Sequence, residues 1–280
     1  SDYNFTQFNR VLYTKRELGS LFLPFYFSLS LDYGYHLMHP VNFDPYGTVH
    51  SSSKIYPSLY EALLSANIYN SLMLFLSLGV GFVSDFSDKL GFSFKNKDIS
   101  LSIGKGNASL MKIISAYMTI FNSGKRSVPY LIERVSTSKG ENIYKKNTLF
   151  QSPLISKESA FIIEYVLSDY VQKHLENNKN SSLVSAMTGN SDGFKDITMC
   201  GKKDDHILAI WFGSEYGGLS LGQSENSLRK KILNLGSQIL IESTRVERKT
   251  KAIEDPPSIS FGKIMLNQSE SRILPFVLGQ

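Results

Sequence analysis

The sequence has very little cysteine, no long apolar run and a modest share of charge. Its one cysteine, Cys200, excludes an internal disulfide and any metal site built from several cysteines. No run of about 18 apolar residues occurs, so no membrane-spanning segment is predicted, and the polar and aromatic residues 1–10 do not resemble a secretory signal. With 42% hydrophobic and 20% charged residues in 280, the composition excludes a disordered chain, a collagen-like repeat and a coiled coil.

The positive net charge of +5 is spread along the chain rather than concentrated. A nucleic-acid-binding surface needs basic residues gathered on one face together with aromatic side chains. Scattered basic pairs are more typical of a solvated surface, so no nucleic-acid partner is predicted. The basic groups lie at Lys125-Arg126, Lys145-Lys146, Lys202-Lys203, Arg229 to Lys231 and Arg245 to Lys251.

Signals for cofactors and metals are weak. The segment 103–109 has two glycines like a phosphate-binding loop, but it lacks the Gly-Lys-Ser ending that holds a nucleotide. His36 and His39 have only Asp32 nearby at ligand spacing, so a metal site is not predicted. No Gly-x-Ser-x-Gly nucleophile motif appears. We expect neither a cofactor nor a metal, and Cys200, in an apolar strand-like run, is interpreted as a buried small hydrophobe.

The first two thirds of the chain are predicted to be largely helical. Residues 21–31 form an apolar segment with Ser20 as its candidate N-cap and Pro24 in the first turn. A segment rich in Pro, Gly, Ser and His, 36–57, is predicted to be a loop. Further helices are expected over 59–78 with Gly79 as the stop, over 110–121 with Asn107 or Ser109 as the cap and Gly124 as the end, and over 157–174 with Ser156 as the cap.

The pattern then changes to short segments that favour strands, 182–187, 195–201 and 206–212, separated by turn residues that indicate antiparallel hairpins. A helix over 227–243 follows, with four apolar residues expected on one face: Ile232, Leu235, Ile239 and Leu240. Helices followed by a meander of strands predict an α+β domain, and no internal repeat is visible. The tail from residue 249 is left unassigned.

Three segments in order resemble the transpeptidase domain of class A penicillin-binding proteins. The family motifs are Gly-Ser-x-x-Lys-Pro-Phe, then Ser-x-Asn, then Lys-Thr-Gly-Thr. The corresponding segments here are Gly19 to Phe25, Ser65 to Asn67, and Met187 to Asn190. The stretch from Ser102 to Gly124 is also similar to the family. The resemblance covers about residues 5–245 and implies an antiparallel sheet flanked by helices, together with an all-helical lobe.

The resemblance implies a chemistry based on an acyl-serine. A serine at a helix start attacks a D-alanyl or β-lactam carbonyl, and a lysine one turn later takes its proton. The Ser-x-Asn pair relays the proton, and the Lys-Thr-Gly strand binds the substrate carboxylate and supplies a backbone N–H for the oxyanion. By this resemblance Ser20, Ser65 and Asn67 occupy catalytic positions, and Thr188, Gly189 and Asn190 occupy substrate-binding positions.

Two positions depart from the family pattern. Leu23 stands at the position of the general base and Met187 at that of the strand lysine, so both ammonium groups of the motifs are missing. Losing one positioned base costs on the order of 10²–10⁴ in rate. Asp192 would add negative charge to the cleft if it pointed inward. Leu23 and Met187 are expected to approach each other and narrow the cleft. The structural alternatives, a helix cap for Ser20 and a hydrogen bond that holds the cleft together for Asn67, are therefore as well supported by the sequence as the catalytic roles.

Three functions follow from the resemblance. The first is a catalytically degenerate transpeptidase that acts as a scaffold or regulator in the cell envelope. The second is an active transpeptidase or carboxypeptidase that uses Ser20 with an unorthodox base, for which Lys105, His36 and Lys195 are the candidates. The third is a peptidoglycan-binding or partner-binding module that uses the former active-site cleft as its binding site. The sequence does not separate the first from the third.

The resemblance also implies domain organisation and location. Residues 1–248 are predicted to form the transpeptidase-like domain, with a helical lobe over about 36–180, and 249–280 a separate tail. A bacterial, periplasmic or extracytoplasmic location is expected, with membrane anchoring only through a segment outside this chain. The expected partners are peptidoglycan, cell-wall synthesis proteins and an upstream glycosyltransferase domain.

Overall fold

The fold is taken from a computed structural model, which describes residues 7–41, 56–146, 152–175, 183–213, 219–246, 258–267 and 270–277. Most of the segment predicted to be a loop, and the first residues of the strand predicted over 182–187, lie outside these ranges. The described chain combines helices with antiparallel sheets, as the sequence predicts.

Most helices precede the three central strands, as predicted, but four short strands that the sequence did not predict interrupt the helical part. The helices are α1 Arg10–Tyr13, α2 Leu23–Asp32, α3 Leu59–Ser65, α4 Ile68–Leu78, α5 Val80–Lys89, α6 Leu110–Phe121, α7 Lys157–His174 and α8 Glu225–Val246. The strands are β1 Arg16–Glu17, β2 Asn107–Ala108, β3 Arg134–Ser136, β4 Asn142–Lys145, β5 Ser185–Asn190, β6 Asp196–Lys203, β7 His206–Gly213, β8 Ile259–Asn267 and β9 Glu270–Val277.

The single helix predicted over 59–78 is wrong, because the chain breaks into α3 and α4. Ala66 adopts a left-handed conformation with φ of 50°, and the Asn67 side chain accepts hydrogen bonds from the N–H groups of Tyr69 and Asn70. Asparagine is a strong N-cap, so Asn67 starts a new helix where hydrophobic periodicity alone predicts continuation. The predicted stop at Gly79 is confirmed, with φ of 90°, and α5 follows it without having been predicted.

The helix α7 is the central helix of the domain, and its predicted bounds and Ser156 cap are confirmed. It packs against α2, α3, α6 and β5, and its inward face is fully buried. Asp32, at the end of α2, accepts hydrogen bonds from the hydroxyl groups of Ser156 and Ser159 at 2.6 Å each. This carboxylate at the N-terminus of α7 also complements the helix dipole and joins the two helices.

The central sheet has the strand order β5-β6-β7, with every pairing antiparallel, which confirms the predicted hairpins. Cys200 on β6 is fully buried, and burial raises the pKa of its thiol, so it remains a protonated core residue as predicted.

The helix α8 packs on β6 and β7, but part of the face predicted for it is wrong. Ile232 and Leu240 are buried, whereas Leu235 and Ile239 are 39% and 40% exposed. The buried stripe instead runs through Gly236, where a Cβ atom would overlap the side chain of Met199. A glycine in this stripe lets the sheet approach α8 closely, so the buried face of α8 is rotated relative to the predicted one. A pattern of apolar residues does not indicate such a glycine.

The tail that the sequence leaves unassigned forms the antiparallel hairpin of β8 and β9. It is attached to the domain through β9, where Leu274 is fully buried, and through the Ser258 hydroxyl, which hydrogen-bonds Glu158 at the start of α7. In the described ranges, no single helix has the length and hydropathy of a membrane span. Together, α4 and α5, bent by 93° relative to each other, meet those criteria.

Candidate active site

The serine of the first motif lies in a short 3₁₀ turn, Gly19–Phe22, that leads directly into α2. The prediction that Ser20 is the N-cap is wrong, because no side-chain hydrogen bond caps either the 3₁₀ turn or α2. Pro24, at the start of α2, needs no N–H partner there, as predicted. Ser20 is half-buried, so its hydroxyl is neither enclosed in the core nor used to start the helix.

The end of β5 packs directly against this turn through backbone contacts. A Cβ atom on Gly189 would overlap the carbonyl oxygen of Leu18, and one on Gly104 would overlap that of Gly19. The amide of Gly19 donates to the Gly104 carbonyl at 3.0 Å. The structure therefore brings together the first motif, the end of the third motif and the glycine-containing segment 103–109, which resembles a phosphate-binding loop.

Leu23 and Met187, at the positions of the two family lysines, are both core residues. Leu23 is 3% exposed and Met187 is 0% exposed, and both belong to the continuous hydrophobic core. An ammonium group at either point would have to be desolvated unless the surroundings were rebuilt around it. Direct contact between the two side chains stays a prediction.

Thr188 is turned toward α7 and its hydroxyl is already used. It hydrogen-bonds the phenol of Tyr170 at 2.7 Å, and both residues are buried. The Tyr170 ring lies 4.4 Å from that of His174, whose Nε2 is 3.4 Å from the guanidinium of Arg229 on α8. The threonine of the third motif is thus held by a chain of side chains that reaches the outer helix.

His174 gives this chain of side chains a pH dependence that can be measured. Burial first, then the charges of Arg229, Lys173 and Lys230, lower the pKa of His174 from 6.5 to about 4. In the unfolded chain His174 is protonated below about pH 6.5, whereas in the folded chain it is protonated only below about pH 4. Stability should fall as the pH drops through that window.

We expect replacement of His174 by glutamine to remove this part of the pH dependence. Urea unfolding between pH 7.5 and pH 4.5 should show a steeper loss for the wild type than for His174→Gln. As the matched control, Gln172→Ala changes a partly exposed α7 residue that carries no titrating group, and it should retain the wild-type slope. Parallel curves for His174→Gln and wild type would show that His174 does not report on this network.

Ser65 and Asn67 lie at the junction of α3 and α4, and both are exposed. The Ser65 hydroxyl donates to the Ala62 carbonyl at 3.2 Å, and Asn67 caps α4. Asn67 therefore has a structural role, but it is a local helix cap and not the hydrogen bond across the cleft that the sequence predicts. Two apolar side chains beside it, Ile68 and Tyr69, are also exposed.

Lys105 is the alternative base that lies on the segment next to Ser20. Its ammonium group forms an ion pair with Asp192 at 3.0 Å, which raises the pKa of Lys105. Asp192 is largely exposed, and its backbone N–H donates to Glu17. A lysine whose protonated form is stabilised is poorly suited to remove a proton from serine at neutral pH.

The other two candidate bases are placed differently. His36 is exposed and follows the far end of α2, which is about 15 Å long at 1.5 Å per residue, whereas Ser20 precedes its start. Lys195 ends the short turn that connects β5 to β6.

His36 and His39 pack edge to face, and the described residues contain no cluster of three His, Cys, Asp or Glu side chains that could hold a metal.

Sequence reasoning missed a buried carboxylate that secures the segment ahead of Ser20. Asp196, at the start of β6, accepts hydrogen bonds from Arg16 at 3.1 Å and from the indole of Trp211 at 2.9 Å. The Arg16 guanidinium also lies 5.1 Å from the centre of the Trp211 ring. An acidic residue opening an apolar strand is the signal that indicates such a partner, since buried carboxylates are normally paired.

Comparison with known proteins identifies relatives for this arrangement. The family model "Penicillin binding protein transpeptidase domain" matches residues 41–213, a range that begins after Ser20. Penicillin-binding protein 1A of Neisseria lactamica is 25% identical over 235 residues, which are 76% of this chain and 29% of that protein. The protein of the same name from Pseudomonas aeruginosa is 28% identical over 157 residues, 51% of this chain and 19% of that protein. The chain thus spans less than a third of these curated relatives.

Solved structures show the same fold at lower identity. Penicillin-binding protein 1A from Haemophilus influenzae superimposes with a TM-score of 0.77 at 17% identity, covering 99% of this chain and 50% of that chain. PonA1 from Mycobacterium tuberculosis, in complex with penicillin V, superimposes with a TM-score of 0.68 at 18% identity and covers 90% of this chain and 74% of that chain.

Proposed function

The chain belongs to the penicillin-binding protein transpeptidase family, and from this premise we propose that it is a degenerate transpeptidase domain that forms no acyl-enzyme. Its role is then that of a structural, regulatory or docking module in bacterial cell-wall synthesis, outside the cytoplasm. Residues 1–248 constitute the transpeptidase-like unit, and the remainder is its tail.

The observation that carries this proposal is the burial of Leu23 and Met187 in the core. In the family chemistry, one ammonium group takes the serine proton and the other attracts the substrate carboxylate. With apolar side chains packed at both points, Ser20 has no base from its own motif and the cleft has no cation from the strand motif. Ser20, Ser65, Asn67, Thr188, Gly189 and Asn190 then remain as parts of the fold.

The use of the remaining motif residues supports the same conclusion. Thr188 is bonded to Tyr170, Asn67 caps a helix, and Lys105 is paired with Asp192. These three groups therefore already have partners within the domain. A cleft whose polar groups are internally satisfied offers little binding energy to a D-alanyl carboxylate.

We expect that the protein forms no covalent adduct with benzylpenicillin. Intact mass should be unchanged after incubation, and labelling by a fluorescent penicillin should equal that of Ser20→Ala. An active transpeptidase domain under the same conditions provides the positive control. A stoichiometric mass increase that disappears in Ser20→Ala would overturn the proposal.

The competing function is an active transpeptidase or carboxypeptidase that uses Ser20 with a non-standard base. Lys105 is the residue whose position favours this function, since its segment contacts the turn that carries Ser20. Were an adduct to form, its loss in Lys105→Met but not in Lys195→Met would identify that base. Partners of the full-length protein, including a glycosyltransferase domain, are proposed on the likeness to penicillin-binding protein 1A.

A further inference from the structure

The hairpin of β3 and β4 has no buried face. All residues of both strands are exposed, and within the described ranges the two strands pair only with each other. A two-stranded hairpin without a packed face is marginally stable in water. Each outer edge also presents unpaired backbone N–H and C=O groups, which are a template for a further strand.

Apolar side chains are concentrated on and beside this hairpin. Leu131 is fully exposed, at 100%, and six further apolar side chains of the same segment are 41–69% exposed: Val128, Tyr130, Ile132, Val135, Ile143 and Tyr144. An open concavity of about 640 Å³ is lined by Leu131, Ile132, Glu133, Arg134 and Lys145. Exposed apolar side chains gathered on one short segment beside a concavity are typical of an interaction site.

Charge on the hairpin is arranged in an unusual way. Arg134 lies directly opposite Lys145 in the register, so two cations share one face of the ribbon, and no described carboxylate forms an ion pair with either. Like charges at facing positions destabilise a strand pair. On the other face, Val135 lies opposite Tyr144. The two faces therefore differ: one carries the Arg134 and Lys145 pair, and the other carries the Val135 and Tyr144 pair.

We propose that this hairpin binds an extended segment of a partner protein in which acidic and aliphatic residues alternate, added as a third strand along its edge. Side chains alternate between the two faces of a strand. Acidic residues of the added strand then lie beside Arg134 and Lys145, and aliphatic ones beside Val135 and Tyr144. Backbone pairing supplies affinity and the alternating side chains supply specificity.

An anionic membrane is the other surface that could attract exposed cations and apolar groups. A bilayer cannot satisfy the unpaired backbone groups along the hairpin edges, whereas a protein strand can. The concavity beside Leu131 likewise fits an inserted chain better than a flat surface. The proposal extends the docking role to a surface of its own, and it holds whether or not Ser20 reacts with penicillin.

The test uses a fluorescein-labelled peptide of sequence Gly-Glu-Val-Glu-Val-Glu-Val-Gly, with binding to the full chain followed by fluorescence anisotropy. We expect saturable binding that Arg134→Glu combined with Lys145→Glu weakens about 10-fold, in line with two lost ion pairs of exposed groups. The matched control, Lys89→Glu with Lys112→Glu, makes the same charge change on exposed α5 and α6 positions and should bind like the wild type.

Two further probes separate strand pairing from simple charge attraction. The same peptide with N-methyl groups on alternate residues keeps every side chain but cannot complete the edge hydrogen bonds, and it should bind at least about 10-fold more weakly. Equal binding of the two peptides would overturn strand addition. Absence of peptide binding, or binding to phosphatidylglycerol vesicles that depends on Arg134 and Lys145 while the peptide stays unbound, would overturn the proposal as well.

Discussion

Replacing Leu23 by lysine is expected to lower the free energy of unfolding by about 4 kcal/mol at pH 7, which corresponds to a pKa depression of about three units at 1.36 kcal/mol each. Leu23 is buried at the start of α2 among core residues, so the new ammonium group must lose its water or its proton. Urea unfolding measures the effect directly.

The matched control is Leu23→Met, which keeps the volume and should cost less than about 1.5 kcal/mol. The sign of the pH dependence follows from linkage. The unfolded chain binds the lysine proton up to about pH 10, and the folded chain releases it earlier, so the deficit of Leu23→Lys should shrink as the pH rises. A lysine variant as stable as Leu23→Met at pH 7 would mean that the side chain reaches water through an open cleft, and this would favour the active alternative.

Restoring both lysines is expected to restore acylation where neither single change does. Leu23→Lys alone supplies a base, but with Met187 retained the strand motif provides no cation to lower its pKa or to hold the ligand carboxylate. Met187→Lys alone supplies the cation without a base. The double variant should acylate at least about 10²-fold faster than either single variant, because residues that act as a unit in catalysis are strongly non-additive.

The measurement is the second-order rate constant of acylation by a fluorescent penicillin for the wild type, both single variants and the double variant. Adding Ser20→Ala to the double variant should abolish the reaction, and circular dichroism must show that each variant is folded. Recovery of most of the rate in Leu23→Lys alone would mean that Met187 is not part of the defect. In that case the interpretation of the third motif would be wrong.

Local chemistry in the sequence determined much of this fold. The Ser156 and Ser109 caps and the Gly79 stop lie where the sequence predicts them. The strands between residues 185 and 213 lie near their predicted positions, although β5 begins three residues later than predicted. Such signals depend on the backbone within a few residues, so they can be read without the tertiary structure. The three motif segments likewise identify the family, and the replacement of both lysines is visible in the sequence alone.

Only the tertiary structure decided how the remaining motif residues are used. Ser20 is not a cap because a 3₁₀ turn packed on β5 precedes α2, and Thr188 is occupied because Tyr170 on α7 lies opposite it. Other contacts also join segments that are far apart in the chain. They are the burial of Leu23 and Met187, the ion pair of Lys105 with Asp192 and the hydrogen bond from Arg16 to Asp196. Such contacts depend on how helices and strands pack. Hydrophobic periodicity indicates which face of an element is buried, but it does not indicate which distant residue contacts that face.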